Sequence, residues 1–444
     1  MLKYEEIMDY IKNEISSGSY NYQNRLPSVR SVSKLFHCSV GTVSKAYDEL
    51  EKEHIIYSMA KSGYYILDVH SDSLKIQNEL IDFSSGAPDI NTLPYKKFQH
   101  CLNKAIDLYK EKLFTYSDPQ GLDSLIQILA DHFQEYQVFT KPENIVITTG
   151  SQQALNILST LPFPNGKTHV LVEQPTYYGM IKSLELKHIP SLGIERGLNG
   201  LNLDELENIF RNGDIKFFYT ISRFHNPTGV SYNRQEKEAI VELAGKYNVY
   251  IVEDDIMGDL EINSKNDPMF SYDISSKVIY LKSYSKILIP GLRIAAVVLP
   301  ELLLNTFLEY KQWTDMHSPI LSQGALEIYL KSGMFDVHKK AIGKLYFERM
   351  NCLRETLSQI CPDNIKWFVP ESGYFSCLYT EDKLNYEGIV KDLQNRSIRL
   401  LDTSSCFLRE YKNNKYFRIS VSKTNEEKIK KGIPILLDII EKHS

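Results

Sequence analysis

Short runs of β-branched and aromatic residues alternate with longer segments of helical periodicity from Ile81 to the end of the chain. The runs are NIVIT (144–148), HVLVE (169–173), IKFFYTI (215–221), VYIVED (249–254), KVIYLKS (277–283) and RIAAVVLP (293–300). A connection between two parallel strands has to cross the sheet, and a helix usually makes that crossing. The alternation therefore predicts an α/β unit with a mostly parallel sheet and helices on both faces.

The ends of these runs carry residues that are suited to ligand binding. Sheets of this kind bind ligands beyond the carboxyl ends of their strands. The residues at those ends include Ser151, Gln152, Tyr177, Asn226 and Asp254. The first two open a helix after a glycine, where backbone amides attract phosphate. Each residue also has a purely structural interpretation, as part of a turn or of the core.

Lys286 follows the fifth run, with Ser283 and Ser285 before it and Arg293 seven residues after it. A lysine beside hydroxyls and an arginine suits a Schiff base to an aldehyde that carries a phosphate. Pyridoxal 5′-phosphate is such an aldehyde, so the stretch predicts this cofactor. A surface lysine in contact with solvent is the alternative if the stretch is considered alone.

Residues 1–69 have the pattern of a winged helix-turn-helix. An apolar stripe predicts a helix over Tyr4–Ile15, and Ser28 and Ser39 are suited to cap two further helices, through Phe36 and from Val40 to about Glu53. The sequence IIYSMAKSGYYIL then alternates about a Ser-Gly turn, which predicts a hairpin.

The turn region of this domain is basic. Arg25, Arg30, Lys34 and Lys45 lie in a stretch without an acidic residue, so this face is suited to contact DNA phosphates. A small helical adaptor domain is the alternative. Residues 70–80 are polar and lack periodicity, which predicts a linker to a second domain over 81–444.

The composition excludes several other classes of protein. A net charge of −5 argues against a protein that coats nucleic acid over its whole surface. The six cysteines form no C-x-x-C pair, which predicts reduced buried thiols and neither a disulfide framework nor a metal site. Without a signal peptide or a long apolar stretch, the chain is expected in the cytoplasm and away from membranes.

The N-terminal domain resembles the GntR family of bacterial regulators in LPSVRSVSKLF, TVSKAYDELE and KSGYYIL. The resemblance implies binding to double-stranded operator DNA. It implies that Ser39, Gly41, Thr42 and Lys45 lie near base edges, and that Arg30 and Lys61 contact the DNA backbone.

The larger part of the chain resembles the fold-type I aminotransferases in GSQQAL, PTYYG, NPTG, VEDD, SYSK, PGLR and YFRISVS. That resemblance implies a smaller C-terminal α+β subdomain. It also implies that Lys286 bonds to pyridoxal 5′-phosphate, that Asp254 pairs with the protonated ring nitrogen and that Asn226 faces the ring hydroxyl.

The same resemblance implies the other contacts of the site. Tyr177 stacks on the cofactor ring, and Arg418 forks onto a substrate or effector carboxylate. Tyr116 reaches the phosphate of a partner subunit, which requires a homodimer. The phosphate is held by Ser151, Gln152, Ser283, Ser285 and Arg293.

A GntR-like domain fused to an aminotransferase-like domain resembles the MocR subfamily of regulators. One departure affects the chemistry, because Ile256 and Met257 stand where the aminotransferases have a tyrosine that donates to the ring hydroxyl. We therefore expect a regulator that senses pyridoxal 5′-phosphate or an amino compound, with little or no steady turnover. The alternatives are an active aminotransferase and a regulator whose cofactor pocket is purely structural.

Overall fold

The computed structural model describes residues 2–17, 19–20, 25–53, 55–59, 62–66, 80–262, 266–380, 384–412 and 415–443. The chain divides into two compact units, Met1–Glu79 and Leu80–Ser444. The division lies inside the segment predicted as a linker. The bounds of that linker stay a prediction, because residues 70–79 are outside the described part.

The small unit is a winged helix-turn-helix, as the sequence predicts. Its elements are α1 (Lys3–Ser16), α2 (Val29–Leu35), α3 (Val40–Lys52), β1 (Ile56–Met59) and β2 (Gly63–Ile66). Ser28 and Ser39 cap α2 and α3, since each side chain accepts a hydrogen bond from the backbone amide three residues on. The two strands form an antiparallel hairpin that pairs Ile56 with Ile66.

Apolar side chains from all three helices form the core of this unit. Ile7, Ile11, Val32, Val43 and Tyr47 are almost completely buried. The Tyr47 hydroxyl donates to the carbonyl oxygen of Pro27 at 2.7 Å, which fixes the chain just before α2.

The strands of the large unit form one central sheet and two smaller sheets. They are β3 (Ile81–Asp82), β4 (Ile145–Thr148), β5 (His169–Gln174), β6 (Ser191–Gly197), β7 (Gly200–Leu201), β8 (Ile215–Thr220), β9 (Tyr250–Asp255), β10 (Val278–Ser283), β11 (Ala295–Val298), β12 (Lys366–Phe368), β13 (Phe375–Tyr379), β14 (Ile398–Arg399) and β15 (Tyr416–Ser420). The central sheet has the order β4-β11-β10-β9-β8-β5-β6-β7.

The central sheet is mostly parallel. Each adjacent pair from β10 through β9, β8 and β5 to β6 is parallel. The strand β11 runs antiparallel to both of its neighbours, and β7 runs antiparallel to β6. The carboxyl ends of the parallel strands therefore meet at one edge.

Helices cover both faces of this sheet. The helices of the large unit, including those of its C-terminal part, are α4 (Tyr95–Tyr109), α5 (Asp123–Gln134), α6 (Ser151–Thr160), α7 (Tyr178–Leu186), α8 (Leu203–Asn212), α9 (Arg234–Lys246), α10 (Glu301–Asp315), α11 (Ile320–Lys331), α12 (Met334–Ile360), α13 (Tyr386–Asn395) and α14 (Glu426–Lys442). Successive strand side chains point to opposite faces. Val170 accordingly packs with α6, α7 and α10, whereas Leu171 packs with α8 and α9.

The C-terminal part forms the smaller α+β subdomain. Strands β12, β13 and β15 form an antiparallel sheet, with β13 in the centre. The strand β3, at the start of the large unit, pairs in parallel with β14 near the C-terminus. The beginning and the end of the large unit therefore meet in one subdomain.

Two further expectations can be compared with the structure. All six cysteines are free, but only four of them are buried, and Cys38 and Cys361 are half-buried, so the prediction of buried thiols is wrong for these two. Among the residues that the structure describes, no helix combines the length and the apolar character needed to cross a membrane.

Asp259→Asn tests a buried charge pair outside the predicted site. Lys282 Nζ lies 2.8 Å from Asp259 Oδ2, and both side chains are buried. The substitution leaves the ammonium of Lys282 without its counter-charge, so we expect a loss of about 3–5 kcal/mol in the free energy of unfolding. Chemical denaturation measures it. Asp438→Asn, which breaks the exposed pair with Lys442, is the control and should barely move the midpoint.

Candidate functional site

Five adjacent strands of the central sheet deliver the candidate residues to one edge. Asp254 lies in β9, Lys286 follows β10, Asn226 follows β8 and Tyr177 follows β5. Arg293 directly precedes β11, after a short turn over Pro290–Leu292. The parallel order of the sheet brings together residues that are far apart in the sequence.

The side chain of Lys286 is held inside this edge. Its Nζ donates a hydrogen bond to the carbonyl oxygen of Gly86 at 2.5 Å. Burial lowers the pKa of Lys286 to about 8, and the cations of Arg418 and Arg293 add to that effect while Asp254 opposes it. A lysine with this pKa is partly neutral near physiological pH, which is the nucleophilic form.

Asp254 is a buried carboxylate with one oxygen in use. Oδ2 accepts a hydrogen bond from the Tyr219 hydroxyl at 2.8 Å, while Oδ1 is buried and has no hydrogen-bond partner within the described ranges. Burial raises the pKa of Asp254 to about 7, and the charge of Asp255 adds to it; Tyr219 and Lys286 act in the opposite direction. The free oxygen is available to a donor or a cation.

The start of α6 and the guanidinium of Arg293 form a cradle for an anion. Gly150 precedes α6 with φ of 80°, and a Cβ atom there would lie 2.4 Å from Arg293 Nη2. Only glycine allows this approach. The amides of Ser151 and Gln152 open the helix, so helix start and guanidinium together favour a negative group.

The two serines near Lys286 are placed at the end of β10. Ser283 is buried, and its hydroxyl accepts a hydrogen bond from the backbone amide of Ser285 at 3.3 Å. Ser285 is half-buried. The strand end is thus a turn fixed by its own hydroxyl, immediately before Lys286.

The ring of Tyr177 is tied to the first turn of α6. Its hydroxyl donates to Gln152 Oε1 at 3.3 Å, and Gln152 Nε2 donates to the carbonyl oxygen of Gly179 at 3.1 Å. A Cβ atom at residue 179 would lie 2.5 Å from the Tyr177 ring. The side chain of Gln152 is therefore engaged by Tyr177, and its backbone amide is the group left for an anion.

Arg418 brings the C-terminal subdomain to the same site. It is 2% exposed, and its guanidinium lies 4.5 Å from the centre of the Phe375 ring. Nη1 donates to Asn226 Oδ1 at 3.0 Å, and Nη2 donates to the carbonyl oxygen of Ser84. The bond with Asn226 links the subdomain to the loop that follows β8.

Tyr116 is the one predicted site residue that stands apart. Its side chain is 82% exposed, and its ring makes an edge contact with His317 at 5.7 Å. Nothing in the described part of one chain brings it to Lys286 or Arg293.

Several residues of this site lie outside the motifs that were identified in the sequence. Gly86 and Ser84 supply carbonyl oxygens to Lys286 and Arg418, and Tyr219 supports Asp254. Ile256 and Met257, at the position of the missing tyrosine, are buried in the apolar core.

The basic residues of the winged helix differ in their partners. Lys3, Lys12 and Lys52 each pair with a glutamate at 2.7–2.9 Å. Arg25, Arg30, Lys34 and Lys45 have no carboxylate within 4.0 Å among the residues described, although Lys45 Nζ lies 4.2 Å from the Tyr4 ring centre. The charges left uncompensated are those of the stretch that lacks acids.

The residues predicted near DNA bases lie around the start of α3. Ser39 and Gly41 are exposed, and the Ser39 hydroxyl caps the helix by accepting from the Thr42 amide at 3.1 Å. Lys61, predicted to contact the DNA backbone, lies outside the described residues.

Two family models match the chain. Residues 78–436 match the model of aminotransferase class I and II, and residues 3–66 match that of bacterial regulatory proteins of the gntR family. Together they span nearly the whole sequence.

Similar proteins include regulators and enzymes. The chain is 43% identical over 441 residues to the HTH-type transcriptional regulator YcxD of Bacillus subtilis (strain 168), covering 98% of this chain and 99% of YcxD. It is 27% identical over 372 residues to aromatic-amino-acid aminotransferase 1 of Thermococcus litoralis, covering 82% and 88% of the two chains.

A solved structure also matches. The kynurenine aminotransferase of Pyrococcus horikoshii has a TM-score of 0.76 at 25% identity, covering 88% of this chain and 98% of that chain. The parallel sheet, the C-terminal subdomain and the family match over residues 78–436 agree, so this chain belongs to the aminotransferase class I and II family and carries a gntR-family helix-turn-helix domain ahead of it, the architecture of MocR-type regulators.

Proposed function

We propose that this protein is a DNA-binding transcription regulator whose large unit binds pyridoxal 5′-phosphate at Lys286 and responds to this compound or to an amino compound. The observation that carries the proposal is the buried Oδ1 of Asp254, which has no partner in the described part of the chain. A buried carboxylate oxygen without a partner is costly, and a protonated pyridine nitrogen would satisfy it.

The residues around Lys286 fit the remaining groups of this cofactor. Bound pyridoxal 5′-phosphate supplies an electrophilic aldehyde and an electron-withdrawing ring. Lys286, with its lowered pKa, is the amine for the aldehyde. Asn226 would face the ring hydroxyl, and Tyr177 would stack on the ring. The phosphate contacts are assigned to Ser151, Gln152, Ser283, Ser285 and Arg293.

Two further assignments extend the proposal beyond one active site. Arg418 takes the carboxylate of an amino compound, because its guanidinium is buried, bonded to Asn226 and without a carboxylate partner among the described residues. Tyr116 of the partner subunit reaches the phosphate in a homodimer. The high exposure of the Tyr116 side chain within one chain is compatible with that role.

The regulator is favoured over a working aminotransferase by the winged helix and by the similarity to YcxD along nearly the whole chain. The enzyme remains the second candidate, because Lys286, Asp254 and Arg418 are assembled at one site. Full transamination needs a cofactor ring held in register, and small misplacements cost on the order of a hundredfold in rate. With Ile256 and Met257 in the core, no side chain at that turn offers a hydroxyl to the ring.

Lys286→Met tests the lysine. Wild type mixed with pyridoxal 5′-phosphate should absorb visible light and gain a covalent mass after borohydride, and Lys286→Met should do neither. The control is Lys216→Met, since burial also lowers the pKa of Lys216 to about 8 although it lies outside the site. Adduct formation should rise as the pH passes through about 8, because the amine loses its proton there. A reducible adduct in Lys286→Met would contradict the assignment.

DNA binding is expected to depend on salt and on the uncompensated arginine and lysine side chains. With a duplex from the region upstream of its own gene, Arg30→Ala should weaken binding to all sequences and lower the salt slope by about 1. Thr42→Ala should change the sequence preference. Lys12→Ala is the control, because Lys12 pairs with Glu53. Deleting residues 1–69 should abolish binding, and retained binding would refute this part of the proposal.

Turnover with amino acids and a keto acid acceptor should stay below about 1 per second, the low end of ordinary enzyme rates. Binding of the amine should still alter the visible spectrum, because Lys286 and Arg418 are in place. Ile256→Tyr should raise the half-reaction rate, and Ile256→Phe, which adds the ring without the hydroxyl, should not. Sustained turnover by the wild type at ordinary rates would favour the aminotransferase instead.

A further inference from the structure

A buried charged cluster lies beside the loop that carries Asn226. Glu173, in β5, accepts three hydrogen bonds at Oε1: from Arg196 Nη1 at 2.7 Å, from the Thr220 hydroxyl at 2.6 Å and from the Tyr232 hydroxyl at 2.6 Å. All four side chains are completely or almost completely buried. In the part of the chain that the structure describes, none of these four residues makes a hydrogen bond to Lys286 or Arg418.

His225, the residue before Asn226, connects this cluster to the loop. Its Nε2 lies 3.0 Å from Glu173 Oε2, and its Nδ1 lies 2.8 Å from the Thr228 hydroxyl. Burial lowers the pKa of His225 and the charge of Arg196 adds to this, while Glu173 acts in the opposite direction. With Nδ1 accepting the Thr228 hydroxyl, the ring hydrogen lies on Nε2, which is close to the Glu173 carboxylate but makes no hydrogen bond of good geometry with it among the residues described.

Burial by itself would raise the pKa of Glu173, but Arg196 and His225 outweigh it and hold the value at about 2. Glu173 is therefore an anion near neutral pH, and it lies against Nε2 of His225. The ring is held at Nδ1 by the Thr228 hydroxyl.

Arg196 fixes the loop on both sides of Asn226. Nη1 donates to the carbonyl oxygen of Ile221 at 2.9 Å, and Nη2 donates to that of Val230 at 3.0 Å. The backbone amide of His225 also donates to the carbonyl oxygen of Val230 at 3.1 Å. The loop that presents Asn226 is thus closed by the cluster and by its own backbone.

The orientation of the Asn226 amide follows from its contact with Arg418. Because Oδ1 accepts from Arg418 Nη1, the Nδ2 end is the donor that remains. If the amide turned over, it would present a donor to a guanidinium, which has only donors. The position of this loop therefore decides whether the side chain of Asn226 can accept from Arg418 and at the same time donate to a second group.

We infer that Glu173, Arg196 and His225 are positioning residues that hold Asn226 with its oxygen on Arg418 and its amide hydrogens toward the ring hydroxyl of the cofactor. From the proposed function, the inference takes only the binding of the cofactor. A stabilising role alone accounts poorly for the cluster, because well-packed apolar residues usually stabilise a core as well as buried ion pairs do.

Thr228→Val is the test, because it keeps the shape of a buried residue and removes the hydroxyl that bonds to His225 at 2.8 Å and also accepts a longer hydrogen bond, of 3.4 Å, from the Val230 amide. After addition of pyridoxal 5′-phosphate, the pKa of the visible chromophore should rise in Thr228→Val. We expect its proton affinity to increase about tenfold, because one good hydrogen bond to the ring oxygen is lost. Thr228→Ser keeps the hydroxyl and should behave as wild type. Thr403→Val is the matched control, since the hydroxyl of Thr403 bonds to the Tyr416 carbonyl instead.

A double mutant separates positioning from general damage. If Thr228 acts through Asn226, then Asn226→Ala with Thr228→Val should show the same chromophore pKa as Asn226→Ala alone. Additive shifts, or a Thr228→Val protein with a wild-type chromophore and only a lower unfolding temperature, would overturn the inference.

Amide hydrogen exchange of residues 224–229, measured without the cofactor, gives a second readout; the Val230 amide is left out because it donates directly to the Thr228 hydroxyl. Thr228→Val should exchange faster there than Thr228→Ser, and Thr403→Val should match wild type. If wild type forms no chromophore, the proposed function fails and the exchange result alone decides the inference. Unchanged exchange in Thr228→Val would overturn it in either case.

Discussion

Three consecutive buried acids at the end of β9 are the constraint around which the site is built. Each carboxylate needs partners because water is excluded. Strand alternation directs Glu253 and Asp255 to one face and Asp254 to the other. Asp255 accepts hydrogen bonds from Arg223 and from the Tyr280 hydroxyl. Glu253 accepts them from the Ser222 hydroxyl and from two backbone amides. Of the three, only Asp254 keeps an oxygen without a hydrogen-bond partner among the residues that the structure describes.

The charges at this edge favour a ligand with two anionic groups. Lys286, Arg293 and Arg418 come from three different elements, and Asp254 is the carboxylate whose charge acts on the lysine. A phosphate at α6 and a carboxylate at Arg418 would balance that excess of positive charge. Slow chemistry would suit a sensor, since a ligand consumed quickly cannot hold a conformational state. Coupling to DNA then requires that the ligand interact differently with two states of the protein.

Much of the site could be predicted because the motifs lie directly at strand ends. Lys286, Asp254 and Asn226 follow or end runs that the sequence shows clearly, and a parallel sheet places such ends together. Arg418 lies inside β15 of the antiparallel subdomain sheet, and its motif YFRIS was the signal. The carbonyl oxygens of Ser84 and Gly86 were missed, since any residue carries a carbonyl and its sequence says nothing about what it accepts. The support of Asp254 by Tyr219 was missed because a tyrosine in a buried strand is usually core.

The sequence by itself determined the two units, the parallel sheet, the caps of α2 and α3 and the residues with chemical potential, since periodicity and local hydrogen bonding depend on neighbours in the chain. Only the tertiary structure decided which groups are free. Lys12, for example, pairs with Glu53, which lies far away in the chain. The lowered pKa of Lys286 and the unused oxygen of Asp254 likewise arise from burial among residues far away in the chain, because desolvation and charge act through space and not along the sequence.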